Sequence, residues 1–100
     1  MENERWLRCT VSPGQFPGEF AVSLQSADGH GYSLFAPEED VDPSQIPSEG
    51  IQVDGWIRVS IVDENGVLAL VRLPRQAIEN GAFVTVRKDQ LERRRQAQEA

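Results

Sequence analysis

The stretch "IQVDGWIRVSIVDENGVLALVRL", residues 51–73, decides the fold. Ile51, Val53, Ile57, Val59 and Ile61 alternate with polar neighbours, the period-two signature of a strand with one buried face. Gly55 falls on the same phase, and a mid-strand glycine marks a bulge or a sharp coil of the strand. "DENG", residues 63–66, is the turn. Asn65-Gly66 suits a three-residue loop in which glycine takes a positive φ. In that register Asp63 faces Val67, Ile61 faces Ala69, Val59 faces Val71 and Ile57 faces Leu73. A two-residue loop would put Ile57 opposite Arg72, so the apolar pattern selects the longer loop. On the other face Val62 meets Leu68, Ser60 meets Leu70 and Arg58 meets Arg72, with Trp56 at the end of the row.

The pattern continues outward in both directions. "RWLRCTVS" (5–12), "EFAVSLQ" (19–25) and "GYSLFA" (31–36) alternate as strands, and "AFVTVR" (82–87) adds a sixth. "SPGQFPG" (12–18) is a turn-rich link. Ala27-Asp28-Gly29 reads as a second three-residue loop. It places Ser26 opposite His30, Leu24 opposite Tyr32, Val22 opposite Leu34 and Phe20 opposite Ala36. "PEEDVDPSQIPSEG" (37–50) is a long acidic loop with one helical turn expected near Pro43–Ile46. Pro74 ends the fifth strand, and "PRQAIENG" (74–81) makes a short helical turn closed by Asn80-Gly81. "KDQLERRRQAQEA" (88–100) reads as a polar helix with Asp89 at its N-cap and only Leu91 to bury.

The expected fold is all-β: a small six-stranded antiparallel curled sheet or barrel with a short C-terminal helix. Residues 1–87 form the barrel domain and 88–100 the helix or tail. The order long strand, tight turn, strand, short helical turn, strand over about 51–87 resembles SH3-like barrels in its spacing. The aromatic ligand-binding motif of SH3 domains is absent. The OB-fold is the near alternative, and it would place a helix between strands three and four.

One hundred residues with 39% apolar side chains support one modest core. Residues 1–86 carry 5 basic and 13 acidic side chains, a net of −8, while residues 87–100 carry 5 and 3, a net of +2. An acidic body repels phosphate backbones. The single cysteine, Cys9, excludes an internal disulfide and reads as a small buried hydrophobe. "MENERWLRC" does not read as a signal peptide, and no apolar run approaches a membrane span. The expected setting is the cytoplasm.

Chemistry-bearing patterns are sparse. His30, between Gly29 and Gly31, is the only histidine, and one histidine with Asp28 makes a weak metal pair. Ser26 and Ser33 lie near it in sequence without a nucleophile motif around them. "PEEDVD" lacks the spacing of a calcium loop, and "DGHG" lacks that of a phosphate loop. No catalytic residue, metal ligand or cofactor site is assigned.

We therefore expect a non-catalytic interaction module that contacts a protein or a second copy of itself. Its surface would be Trp56, Arg58, Val62, Leu68, Leu70 and Arg72, an apolar row rimmed by charge. Cover by the chain's own tail helix or by the curled N-terminal strand is the competing reading of that row, with the two arginines turned to solvent or paired with Glu38–Asp42. A single-stranded nucleic-acid-binding barrel using the Arg58/Arg72 row and the basic tail is the alternative function, and a small-ligand-binding barrel the next.

Overall fold

The structure, a computed structural model, describes residues 3–78 and 81–93. Among them are eight strands: β1 (Glu4–Pro13), β2 (Glu19–Gln25), β3 (Gly31–Pro37), β4 (Val41–Pro43), β5 (Val53–Asn65), β6 (Leu68–Ala77), β7 (Gly81–Arg87) and β8 (Leu91–Glu92). They form one antiparallel sheet in the order β3-β2-β1-β5-β6-β7, with β4 beside β5 and β8 beside β1. The sheet curls into a half-barrel around one core, in which Leu7, Val11, Val22, Leu34, Ile57, Val59, Val71, Val84 and Val86 are fully buried. Each holds the inward phase that its strand's alternation sets. Two hydrogen bonds draw the ends of the sheet together, from Ala27 N–H to the Thr85 carbonyl (2.8 Å) and from Ile78 N–H to the Ser33 carbonyl (2.7 Å). No helix among the described residues is long and apolar enough to cross a membrane.

The β2–β3 hairpin has the expected register, with Leu24 opposite Tyr32, Val22 opposite Leu34 and Phe20 opposite Ala36. Gly29 takes φ +89, and Ser26 N–H donates to the His30 carbonyl at 2.9 Å.

The β5–β6 hairpin differs from expectation. Its loop has two residues, Gly66 and Val67, with Asn65 opposite Leu68. Gly66 at φ +63 supplies the positive φ that a type II′ loop needs at its first position. Asp63 faces Leu70 and Glu64 faces Ala69. The register then shifts between Ile61 and Asp63, so that Ile61 faces Val71 and Ser60 faces Arg72. Val62 is the extra residue of a β-bulge, which restores the match of apolar phases that the short loop alone would break. Arg58 and Arg72 are thus not directly opposed.

Three helical expectations are also corrected. The turn in the acidic loop is a 3₁₀ turn at Glu38–Asp40, and Val41–Pro43 forms β4. β6 runs past Pro74 to Ala77 through a second register shift, so residues 74–77 are extended and bury Ala77. Asn80 lies outside the described residues. Lys88–Gln90 is a 3₁₀ turn and Leu91–Glu92 is β8, paired with Leu7 and Trp6. Leu91 packs on the core from this strand, a cover that a solvent-facing helix would not give it. Asp89 pairs with Arg87 (3.1 Å), while the Gln90 side-chain oxygen accepts the Arg87 N–H (2.8 Å). Residues 94–100 of the expected helix lie outside the described residues.

Gly55 sits where three strands meet, paired with Cys9 on β1 and with Pro43 on β4. A Cβ there would lie 2.8 Å from Val11 Cγ2, 3.0 Å from Pro43 Cα and 3.1 Å from the Asp42 carbonyl oxygen. The missing side chain is what lets β4 close on β5. Gly55→Ala is therefore expected to cost about 1–3 kcal/mol by overpacking. Urea denaturation reads this directly, and an unchanged midpoint would contradict it.

Candidate functional site

The six residues expected to form one surface divide into two neighbourhoods. Trp56 and Arg58 belong to the first. The Arg8 guanidinium carbon lies 5.5 Å from the Trp56 ring centroid. Arg58 sits 5.0 Å from the centroid of Trp6, which is buried. Its Nη1 donates to Glu4 Oε2 at 3.3 Å and its Nη2 to the Glu39 carbonyl. Its buried Nε lies 3.2 Å from Asp40 Oδ1, an ion-pair contact without hydrogen-bond alignment. Arg58 is thus a brace between β1, β5 and the acidic loop. Arg72 is exposed and shares a shallow depression with Arg58 and Asp40.

Leu68 and Leu70 belong to the second neighbourhood, on the outward face of β6. Phe83 and Thr85 stand beside them on β7, through the pairs Arg72–Phe83 and Leu70–Thr85. The tip of the β2–β3 hairpin reaches this face because Ala27 is bonded to Thr85. The resulting cleft, about 370 Å³, has Leu68, Leu70, Phe83 and Tyr32 as its apolar members and Ser26, Asp28 and His30 along its polar side. Phe83 is 52% exposed, and Val62, pushed out by the bulge, 51%. Phe83 and Tyr32 were missed in the sequence. The outward phase of Phe83 against Val84 and Val86 was the available signal, but nothing local shows that a distant hairpin tip completes the cleft.

His30 therefore borders the apolar face. Asp28 Oδ1 accepts from the Ser26 hydroxyl and lies 3.0 Å from His30 Nδ1. The hydroxyl of Ser26 in turn accepts the His30 N–H at 3.1 Å. The carboxylate stands between serine and imidazole, so this is not the order in which a histidine takes a proton from a serine. The Ser26 hydrogen bond, then that of His30, lowers Asp28 to about 2. Asp28 in return raises His30 above its ordinary 6.5. Cys9 is buried between strands, and loss of solvent, followed by the nearby charge of Asp54, pushes its thiol up to about 12. It is not a thiolate near neutral pH. Among the described residues, no three His, Cys, Asp or Glu side chains are grouped to hold a metal.

A separate polar cleft of about 520 Å³ opens where β2 leaves β1, since β2 pairs with β1 only from Thr10 onward and β8 only at Trp6 and Leu7. Arg8, Thr10, Ser23, Asp54, Arg87 and Gln90 line it. Compared with models of protein families, with curated proteins and with solved structures, the chain matches none.

The Asp28–His30 pair sets a pH window. The lowered Asp28 contributes stability above its ordinary 3.8, and this is lost as pH falls toward about 2. The raised His30 contributes below 6.5, and this is lost as pH rises through its raised value. Both contributions are present together between these limits. An NMR titration should place His30 above 6.5 in the wild type and return it to about 6.5 in Asp28→Asn. An unchanged His30 titration in the variant would contradict the pairing.

Proposed function

We propose that this chain is a non-catalytic interaction module whose contact surface is the outward face of β6–β7, with a second copy of the chain as its partner. The observation that carries this reading is the apolar row itself. Leu68, Leu70 and Phe83 line an open cleft, and Val62 stands out from the neighbouring bulge. An apolar patch with a polar rim is the usual anatomy of a protein contact. Cover by the chain's own tail is disfavoured by composition. Leu91 is already packed on the core, and "RRQAQEA", residues 94–100, has no large apolar side chain to lay over Leu70.

The fold reading that accompanies this proposal is SH3-like rather than OB-like. It is supported by the β5–β6–β7 meander, the 3₁₀ turn before β8, and the lack of an α-helix between β3 and β5. Nucleic-acid binding is the weaker alternative, because Arg58 is held among Glu4, Glu39 and Asp40 and is not presented to a phosphate.

Leu70→Glu tests the proposal. Light scattering should find the wild type associating at high concentration and the variant monomeric, with the melting temperature changed by less than about 5 °C. A wild type that stays monomeric, or a variant that still associates, would refute the self-contact. Unfolding of the variant would show that the face is core.

A further inference from the structure

From Cys9 to Ile57 the chain has eight carboxylates and no lysine or arginine. Two connections within this acidic half place large apolar side chains in water, with Phe16 68% exposed and Ile46 90% exposed. Both residues line one cleft of about 670 Å³ together with Pro17 and Pro47, and Glu19 and Glu38 also border it.

The loop that carries Phe16 is fixed. Glu19 Oε2 accepts the backbone N–H groups of Gln15 (3.1 Å) and Phe16 (3.3 Å). Gly18 takes φ +89, and its carbonyl accepts the Glu38 N–H at 2.9 Å. At Gly14 a Cβ would lie 2.6 Å from the Glu19 carbonyl oxygen, so only glycine allows the loop to close this tightly. An aromatic held outward by its own backbone loses little freedom on docking, the condition that favours an anchor site. Single exposed apolar residues are ordinary. Two on separate loops that line one cleft, one of them on a braced backbone, form a surface shaped for contact.

We propose that this cleft docks an apolar segment flanked by basic residues, supplied by a partner protein. The apolar lining selects an apolar anchor. Among the described residues the rim offers carboxylates and no cation, which selects positive charge on either side of the anchor. The same rim repels an anionic lipid surface. Residues 93–100 of this chain bring three arginines but no large apolar residue, so they match only the charge half of the site.

The test is an NMR titration of the isotope-labelled protein with a short synthetic peptide in which Trp-Leu is flanked by lysines on both sides. The amides of Gln15, Phe16 and Ile46 should shift, and affinity should fall as salt rises. The double variant Phe16→Ser/Ile46→Ser, altered only at exposed positions, should bind about tenfold or more weakly. The same peptide with glutamates for lysines should not bind. Shifts confined to other faces, equal binding of the glutamate peptide, or an unaffected double variant would each overturn the proposal. Sedimentation with phosphatidylserine vesicles that depends on Phe16 would assign the cleft to a membrane instead. Self-association that depends on Phe16 would assign it to a second copy.

Discussion

Arg58 is the interaction on which most of the arrangement depends. One guanidinium meets Glu4 on β1, Asp40 and the Glu39 carbonyl in the acidic loop, and the ring of Trp6. A planar cation with a fixed fork of donors can serve all of these at once, whereas a lysine could not. The consequence is structural before it is functional. The Glu38–Asp40 turn is held against the sheet, β4 follows it directly onto β5, and Gly55 leaves the space that β4 needs. An acidic segment that composition alone would leave as solvated loop becomes part of the sheet.

The same contacts sort the surface by charge. The segment from Cys9 to Ile57 carries eight carboxylates and no lysine or arginine, and Arg58 meets Asp40 from outside it. Two apolar surfaces then stand in different electrostatic settings. The β6–β7 face has Arg72 and Asp63 near its row, and mixed charge of this kind suits a contact between like chains. The Phe16–Ile46 cleft is bordered by Glu19 and Glu38. Its setting suits a cationic partner.

Much of the fold was legible because alternation is a strong local signal. β1, β2, β3, β5, β6 and β7 were each visible as period-two runs, and the β2–β3 register followed from where Gly29 must sit. The β5–β6 register was not legible, for a specific reason. Ile61 opposite Ala69 and Ile61 opposite Val71 differ by two residues, and a two-residue slip returns every side chain to the same face. The apolar pattern therefore cannot distinguish them, and the bulge at Val62 decides the matter. β8 was hidden because a single leucine in a polar run has no period. At the candidate surface, the outward placement of Leu68 and Leu70 followed from their phase. Pairing of Arg58 with Glu38–Asp42 was one of the readings the sequence offered, and Asp40 is the carboxylate it meets. Phe83, Tyr32 and the contact of Arg58 with Glu4 were not legible, because they depend on segments brought together from far apart in sequence, 54 residues in the case of Glu4 and Arg58.

The brace is best measured by a double-mutant cycle on Arg58→Ala and Asp40→Ala, read by urea denaturation. The pair is partly exposed but belongs to a network, so we expect a coupling of about 1 kcal/mol between the two substitutions. Effects that simply add, to within about 0.3 kcal/mol, would show that Arg58 does not hold the acidic loop to the sheet.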